Sequence, residues 1–214
     1  MATLGAMPRP SSKSRAAGPS AALLRLPVPE RLLAVAVRLF AEHGFEGTSV
    51  QEIVAAAGVT KGAMYHYFAS KDDLLYEIYH RLLGLQTERL NALADGPGDS
   101  ADRVRAVAED VVETTLTSID EAIVFFRSMH MLPADKRAQV RAERRRYHER
   151  FRALVEEGQR TGTFRGDVSA DIVTHFFFGA VNQLGTWYHR DGGLNRRQVA
   201  EHYADMLLGG LVKS

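Results

Sequence analysis

The sequence predicts an all-α fold, and three observations carry that expectation. Apolar residues recur at spacings of three and four along most of the chain, the period of one helix face. Capping residues precede the periodic segments and Gly or Pro follows them, dividing the chain into about nine helices. No alternating apolar and polar run with hairpin chemistry occurs.

The elements follow in order. After Pro27 and Pro29, Leu33, Ala36, Val37, Phe40 and Ala41 define a first helix that should stop at His43 and Gly44. Thr48 and Ser49 offer N-cap hydroxyls to a second, and Glu52 stands three residues after Ser49 as in a capping box. That helix should end near Ala57 and Gly58, where Thr60 caps a third from Lys61 to about Tyr67. Ser70 opens a long fourth helix with Asp72 and Asp73 in its first turn, where the dipole favours negative charge. Its apolar face is Leu74, Leu75, Ile78, Leu82, Leu85 and Leu90. Asp95-Gly96-Pro97-Gly98 is the strongest break. Beyond it, periodic segments are expected near residues 101–118, 121–131, 134–159, 171–189 and 195–212. The expected division is a disordered basic arm over residues 1–28, a small helical head over 29–74 and a larger body over 75–214.

Composition narrows the function classes. Hydrophobic residues at 45% and charged residues at 25% suit a folded globular chain. With no cysteine, disulfides, thiolate metal sites and cysteine nucleophiles are excluded, and a cytoplasmic setting fits. No apolar run reaches the roughly 18 residues a membrane span needs, and no signal peptide is expected. Net charge is only +1, but the arm holds Arg9, Lys13, Arg15 and Arg25 without one acidic residue. It is either a leader without function or a source of sequence-independent phosphate attraction. No nucleophile elbow, phosphate-binding glycine loop or paired-histidine spacing is present, so neither an enzyme, a metal nor a cofactor is expected.

Two short helices joined by Ala57-Gly58-Val59-Thr60 have the length and turn chemistry of a helix-turn-helix. In the second, Met64 and Phe68 share an inner face. Lys61, Gly62, Ala63, Tyr65, His66 and Tyr67 are left outward or at the edge. Lys61 can donate to guanine O6 and N7, Ala63 can meet a thymine methyl, and Gly62 holds nothing between helix and groove. Tyr65, His66, Tyr67 and Lys71 can bond phosphate oxygens. For each aromatic, plain packing is the alternative.

These residues also carry a resemblance. Phe40-Ala41-Glu42-His43-Gly44-Phe45, Thr48-Ser49-Val50, Ala57-Gly58-Val59-Thr60-Lys61-Gly62, Met64-Tyr65-His66-Tyr67-Phe68 and Ser70-Lys71-Asp72-Asp73-Leu74 resemble the tetracycline-repressor (TetR) family closely. The resemblance implies a DNA-binding head on a helical ligand-binding and dimerisation body. By position it places Thr48, Ser49 and Lys71 at phosphates, Lys61, Gly62 and Ala63 at bases, Tyr65 and Tyr67 at the backbone, and Gln51 at an extra base. Thr60 is the cap that presents this helix, and His66 falls at a variable family position. It further implies a homodimer on a palindromic operator, released by a small-molecule effector; the alternatives are an activator of the same fold and a helical enzyme or ligand-binding protein without DNA binding. The last two helices would form a four-helix bundle with their mates through Val173, Phe177, Ala180, Val181 and Leu184, then Val199, Tyr203, Met206, Leu207 and Gly210.

The body offers more aromatic and thioether surface than a minimal core requires, which suits an adaptable apolar cavity. Phe125, Phe126, Met129, Phe151, Phe178 and Trp187 are its expected lining, with His130, His175 and Asn182 as polar points; ordinary core packing is the alternative. Arg141, Arg144, Arg145, Arg146, Arg150 and Arg152 read either as a solvated face paired with Glu143 and Glu149 or as a phosphate site, with Arg145 its named candidate. Gly162-Thr163-Phe164-Arg165-Gly166-Asp167 with Trp187-Tyr188-His189-Arg190 is similar to family members that control fatty-acid or sterol breakdown and respond to acyl-CoA thioesters. That likeness implies an effector with an apolar part.

Overall fold

A computed structural model describes residues 20–212 of the chain. Its helices are α1 (Ala21–Leu24), α2 (Val28–His43), α3 (Val50–Ala57), α4 (Lys61–Tyr67), α5 (Lys71–Ala94), α6 (Ser100–Thr117), α7 (Ile119–Ser128), α8 (Ala134–Thr161), α9 (Ala170–Asn182), α10 (Leu184–Trp187) and α11 (Arg196–Leu211). A 3-10 turn, Met129–Met131, joins α7 to α8. Nine of the helices have seven residues or more, and among the described residues the one β-type contact is an isolated bridge between Phe164 and Val212.

The local chemistry explains the boundaries. Ser49 accepts from the Glu52 amide while the Glu52 carboxylate accepts from the Ser49 amide, which closes the capping box of α3. Gly58 ends α3 at φ 64°, a left-handed conformation that costs a residue without Cβ nothing. Thr60 and Ser70 cap α4 and α5 by accepting from the Ala63 and Asp73 amides.

Two expectations need correction. Of the basic arm, residues 1–19 lie outside the described residues, but Ala21–Leu24 forms a helical turn capped by Ser20, with Leu23 packed on the head. The segment expected at 171–189 is two helices, broken at Gln183, whose amide bonds back to Ala180.

Apolar packing forms two clusters, and α5 belongs to both. Leu74, Leu75, Ile78, Tyr79 and Leu83 join α2, α3 and α4 in the first, which extends to Val124, Phe125 and Val140 of the body. Leu90 and Ala94 join α6, α8, α9 and α11 in the second. The Tyr79 hydroxyl donates to the Val124 carbonyl at 3.0 Å, tying the shared core of head and body.

A polar seam runs beside it. Asp73 pairs with Lys136, the Tyr76 hydroxyl donates to Gln139 at 2.8 Å, and the His80 ring meets Glu143 at 3.2 Å. Each pair is separated by 63 positions, so α5 and α8 run alongside in the same direction with a constant register.

Candidate functional site

In the head, α4 packs inward through Met64 and Phe68, leaving Lys61, Gly62, Tyr65, His66 and Tyr67 exposed and Ala63 half-buried. The His66 and Tyr67 rings meet edge to face at 4.9 Å. A Cβ built on Gly62 would meet only the Thr60 hydroxyl, at 3.8 Å, so nothing inside the protein demands a glycine there. Gln51 and Ser49 are exposed beside this face.

Two expected phosphate ligands are used internally. Thr48 is 0% exposed, and its hydroxyl lies 3.1 Å from the Leu39 carbonyl oxygen and 2.8 Å from that of Gly44. It closes the α2–α3 loop and has no surface to offer DNA. The Lys71 ammonium donates to the Phe45 and Thr48 carbonyls at 2.7 and 2.9 Å and sits 4.2 Å from the Phe45 ring centroid. An ammonium has three donors, so one remains for an outside partner. Lys71 is first a clasp on the loop that orients α3. Sequence reveals such donors but not the carbonyls folding brings to them.

In the body, a narrow cavity of about 40 Å³ is lined by Phe125, Phe126, Phe178 and Asn182 among the expected residues, by Arg144 of the arginine run, and by Gln86, Tyr147 and His148, which the sequence did not single out. Beside it opens a vestibule of about 560 Å³ lined by Arg141, Arg144, Arg145 and Arg152 against Glu149 and Asp171, with Met129 and His175. Arg144 and His148 border both spaces. The signal that could have found them is the three- and four-residue spacing of Arg144, Tyr147, His148 and Phe151 along one face of α8.

At this neck His148 stacks on Phe178, centroids 4.1 Å apart and planes 8° from parallel. Burial, with the charge of Arg144 and the neighbouring His175, holds its imidazole down at about 4, so it is neutral at pH 7. Arg144 lies 5.8 and 5.7 Å from the Phe125 and Phe126 ring centroids, and burial lowers its basicity. Among the described residues neither Arg141 nor Arg144 has an ion-pair partner, whereas Arg145 pairs with Glu149 and Arg152 with Asp171. The arginine run is thus divided: Arg145 lies on a solvated face paired with Glu149, and Arg144 stands at the neck.

Other expected cavity residues lie elsewhere. Phe151 is fully buried, stacked on Phe177 at 5.0 Å in the core behind the cavity. His130 is exposed in the 3-10 turn, and Trp187 is exposed on α10. Nor does the Gly162–Asp167 loop reach the cavity. Phe164 lies against Gly158, Arg165 pairs with Asp167, and the Arg165 amide donates to the Leu211 carbonyl, so the motif anchors the end of α8 to the end of α11.

The family comparison decides what this architecture is. Residues 32–78 match the model described as bacterial regulatory proteins, tetR family, and residues 97–211 match the tetracyclin repressor-like C-terminal domain. The chain belongs to the TetR family. This TetR-family chain is 26% identical over 183 residues to the HTH-type transcriptional repressor KstR2 of Mycobacterium tuberculosis, covering 85% of this chain and 92% of that one. Among solved structures it is similar to the TetR family regulator PfmR of Thermus thermophilus (TM-score 0.79, 29% identity, 86% of this chain and 100% of that one). It is also similar to AibR, solved with isovaleryl coenzyme A and operator DNA (TM-score 0.76, 27% identity, 85% of this chain and 98% of that one). These are transcriptional regulators, and no described helix is long and apolar enough to cross a membrane.

Most of the residues expected at a dimer interface in this TetR protein face inward, Met206 and Gly210 excepted. Val173, Phe177, Val181, Leu184, Val199 and Leu207 are buried in the protomer's own core, and Ala180 and Tyr203 are half-buried, linked by a 3.4 Å hydroxyl–carbonyl bond. A side chain such as Phe177, 2% exposed, has no area left for a partner. Met206 and Gly210 of the expected set do face outward on α11, with Gly209 beside them, and on α9 the outward stripe is Ile172, Phe176 and Gly179; Ile172, Phe176 and Met206 are 63, 69 and 65% exposed. A Cβ on any of those three glycines would meet no atom of the protomer within 4 Å.

Proposed function

We propose that this protein is a homodimeric transcriptional repressor that binds a palindromic operator through α4 and leaves it when a small-molecule effector enters the body. The observation that carries the DNA-reading claim is the outer face of α4: a lysine, a glycine that internal packing does not require, and two exposed tyrosines. Lys61, Gly62 and Ala63 read base edges, Tyr65, Tyr67 and Ser49 hold phosphates, and His66 and Gln51 border the contact. A mobility-shift titration on the DNA upstream of its own gene tests this. A specific complex at low salt is expected, and Lys61→Ala should cost about 1–3 kcal/mol of sequence discrimination. Absence of any specific complex with the folded dimer overturns the reading.

The exposed stripe supports the dimer. Three large apolar side chains among bare glycines, in water, lose their exposed area against a two-fold copy of themselves, and a palindromic site needs that symmetry. The head covers residues 29–74 in this reading and the body 75–214, with α5 serving both.

For the effector we propose an acyl-CoA thioester. A narrow apolar cavity suits an acyl group, and unpaired Arg141 and Arg144 suit the phosphates of the carrier. At about 40 Å³ the cavity holds little beyond a water or two. An acyl group therefore enters by displacing its walls, α5 and α8 among them. Those two helices carry the seam to the first turns of α5, beside the reading helix. An effector that binds the displaced arrangement more tightly than this one shifts the population away from the operator spacing; one that binds both equally changes nothing.

A further inference from the structure

Tyr147 is buried in the body, 3% exposed, and its hydroxyl has no hydrogen-bond partner among the described residues. Tyr79 is equally inaccessible, yet its hydroxyl is satisfied by the Val124 carbonyl. A structural tyrosine in a dry interior finds such a partner, because an unpaired hydroxyl there carries the full penalty of its desolvation. Phenylalanine would fill the same volume without it. Tyr147 lines the cavity but not the vestibule, so it belongs to the inner side of the neck formed by Arg144 and His148. Asn182 lines the same cavity, while Thr115, also there, already donates to the Val111 carbonyl at 2.7 Å.

We infer that the effector carries a neutral hydrogen-bonding oxygen, a ketone or hydroxyl, on the part that enters the cavity, and that the Tyr147 hydroxyl selects it. This rests on the thioester reading of the site. Burial, with the nearby charge of Asp110, pushes the phenol up from its ordinary range, so the group stays protonated at neutral pH and calls for an acceptor. A carboxylate would accept as well, but it would have to shed its hydration in a cavity whose one cation stands at the mouth. A plain alkyl tail would leave the hydroxyl unpaired in the complex as in the free protein. It gains nothing from Tyr147.

The test is calorimetric titration of the full-length dimer with hexanoyl-CoA and with its mono-oxo derivatives, in the wild type and in Tyr147→Phe. The expected result is that one oxo derivative binds the wild type about tenfold more tightly than hexanoyl-CoA, and that Tyr147→Phe abolishes this preference. Hexanoyl-CoA affinity should be unchanged or improved by the substitution, and the melting temperature should not fall, since an unpaired hydroxyl is being removed. Equal binding of all the thioesters overturns the inference and leaves the effector class standing. So does a preference that survives in Tyr147→Phe, which would confine Tyr147 to structure. Failure of every thioester to bind a folded, DNA-competent dimer overturns both.

Discussion

At the residue scale, the positions that matter most are those whose chemistry exceeds what folding asks of them. Gly62 is one. Alanine at an exposed helical position stabilises by about 0.5–1 kcal/mol over glycine, so Gly62→Ala should raise the melting temperature while weakening operator binding. Calorimetry paired with fluorescence anisotropy checks both signs, and unchanged operator affinity would remove Gly62 from the interface. Lys71 behaves oppositely: Lys71→Met loses two charge-assisted bonds and should destabilise the head by about 2 kcal/mol or more, visible in urea unfolding without DNA. His148 supplies a pH signature. Its folded value of about 4 lies below the ordinary ~6.5, so the unfolded chain takes up the proton first. Stability is therefore fully present above about pH 6.5 and declines towards about pH 4, and His148→Gln should flatten that part of the profile. Residue types were legible in the sequence, whereas their partners were not. Thr48 and Lys71 have the chemistry of phosphate ligands, and only the folded loop shows the carbonyls that occupy them.

Among the elements, caps and breakers made the head readable almost residue by residue, because Ser49, Gly58, Thr60 and Ser70 act on their own neighbours. The rotational phase of α9 was not readable that way. Phe176, Phe177 and Phe178 cover more than half the circumference of a helix, and composition cannot say which faces outward. Once Val173, Phe177, Val181 and Leu184 turn inward, Ile172, Phe176 and Gly179 fall on the opposite stripe. Phe176→Glu, which places a charge on that stripe, should shift the dimer towards monomer in analytical ultracentrifugation while leaving helicity intact. An undiminished dimer would exclude this face. The α5–α8 seam gives an independent expectation. Substituting Tyr76→Phe and Glu143→Gln together should leave effector and operator binding each near wild type, but reduce the factor by which one weakens the other.

For the whole molecule, the division of labour was legible from the head and obscure in the body. The head recognises DNA, whose geometry does not vary, so its sequence pattern is specific. The cavity was visible as a surplus of aromatic residues with Asn182 and the arginine run, whereas Gln86, Tyr147 and His148 needed the fold to bring α5 and α8 together. In the proposed reading, an effector in the cavity lined by α5 and α8 competes with DNA for one arrangement of those two helices. Coupling of this kind is reciprocal, so operator DNA should weaken effector binding by the same factor that effector weakens operator binding. The most direct measurement is anisotropy of a labelled operator, obtained by selection from random duplex DNA, titrated with the dimer at fixed salt with and without hexanoyl-CoA and its oxo derivatives. A two-fold symmetric site bound by two protomers, with affinity reduced by a thioester and retained when free coenzyme A replaces it, is the predicted result. A folded dimer that selects no sequence, or one whose selected site is held equally well with every thioester present, would contradict it.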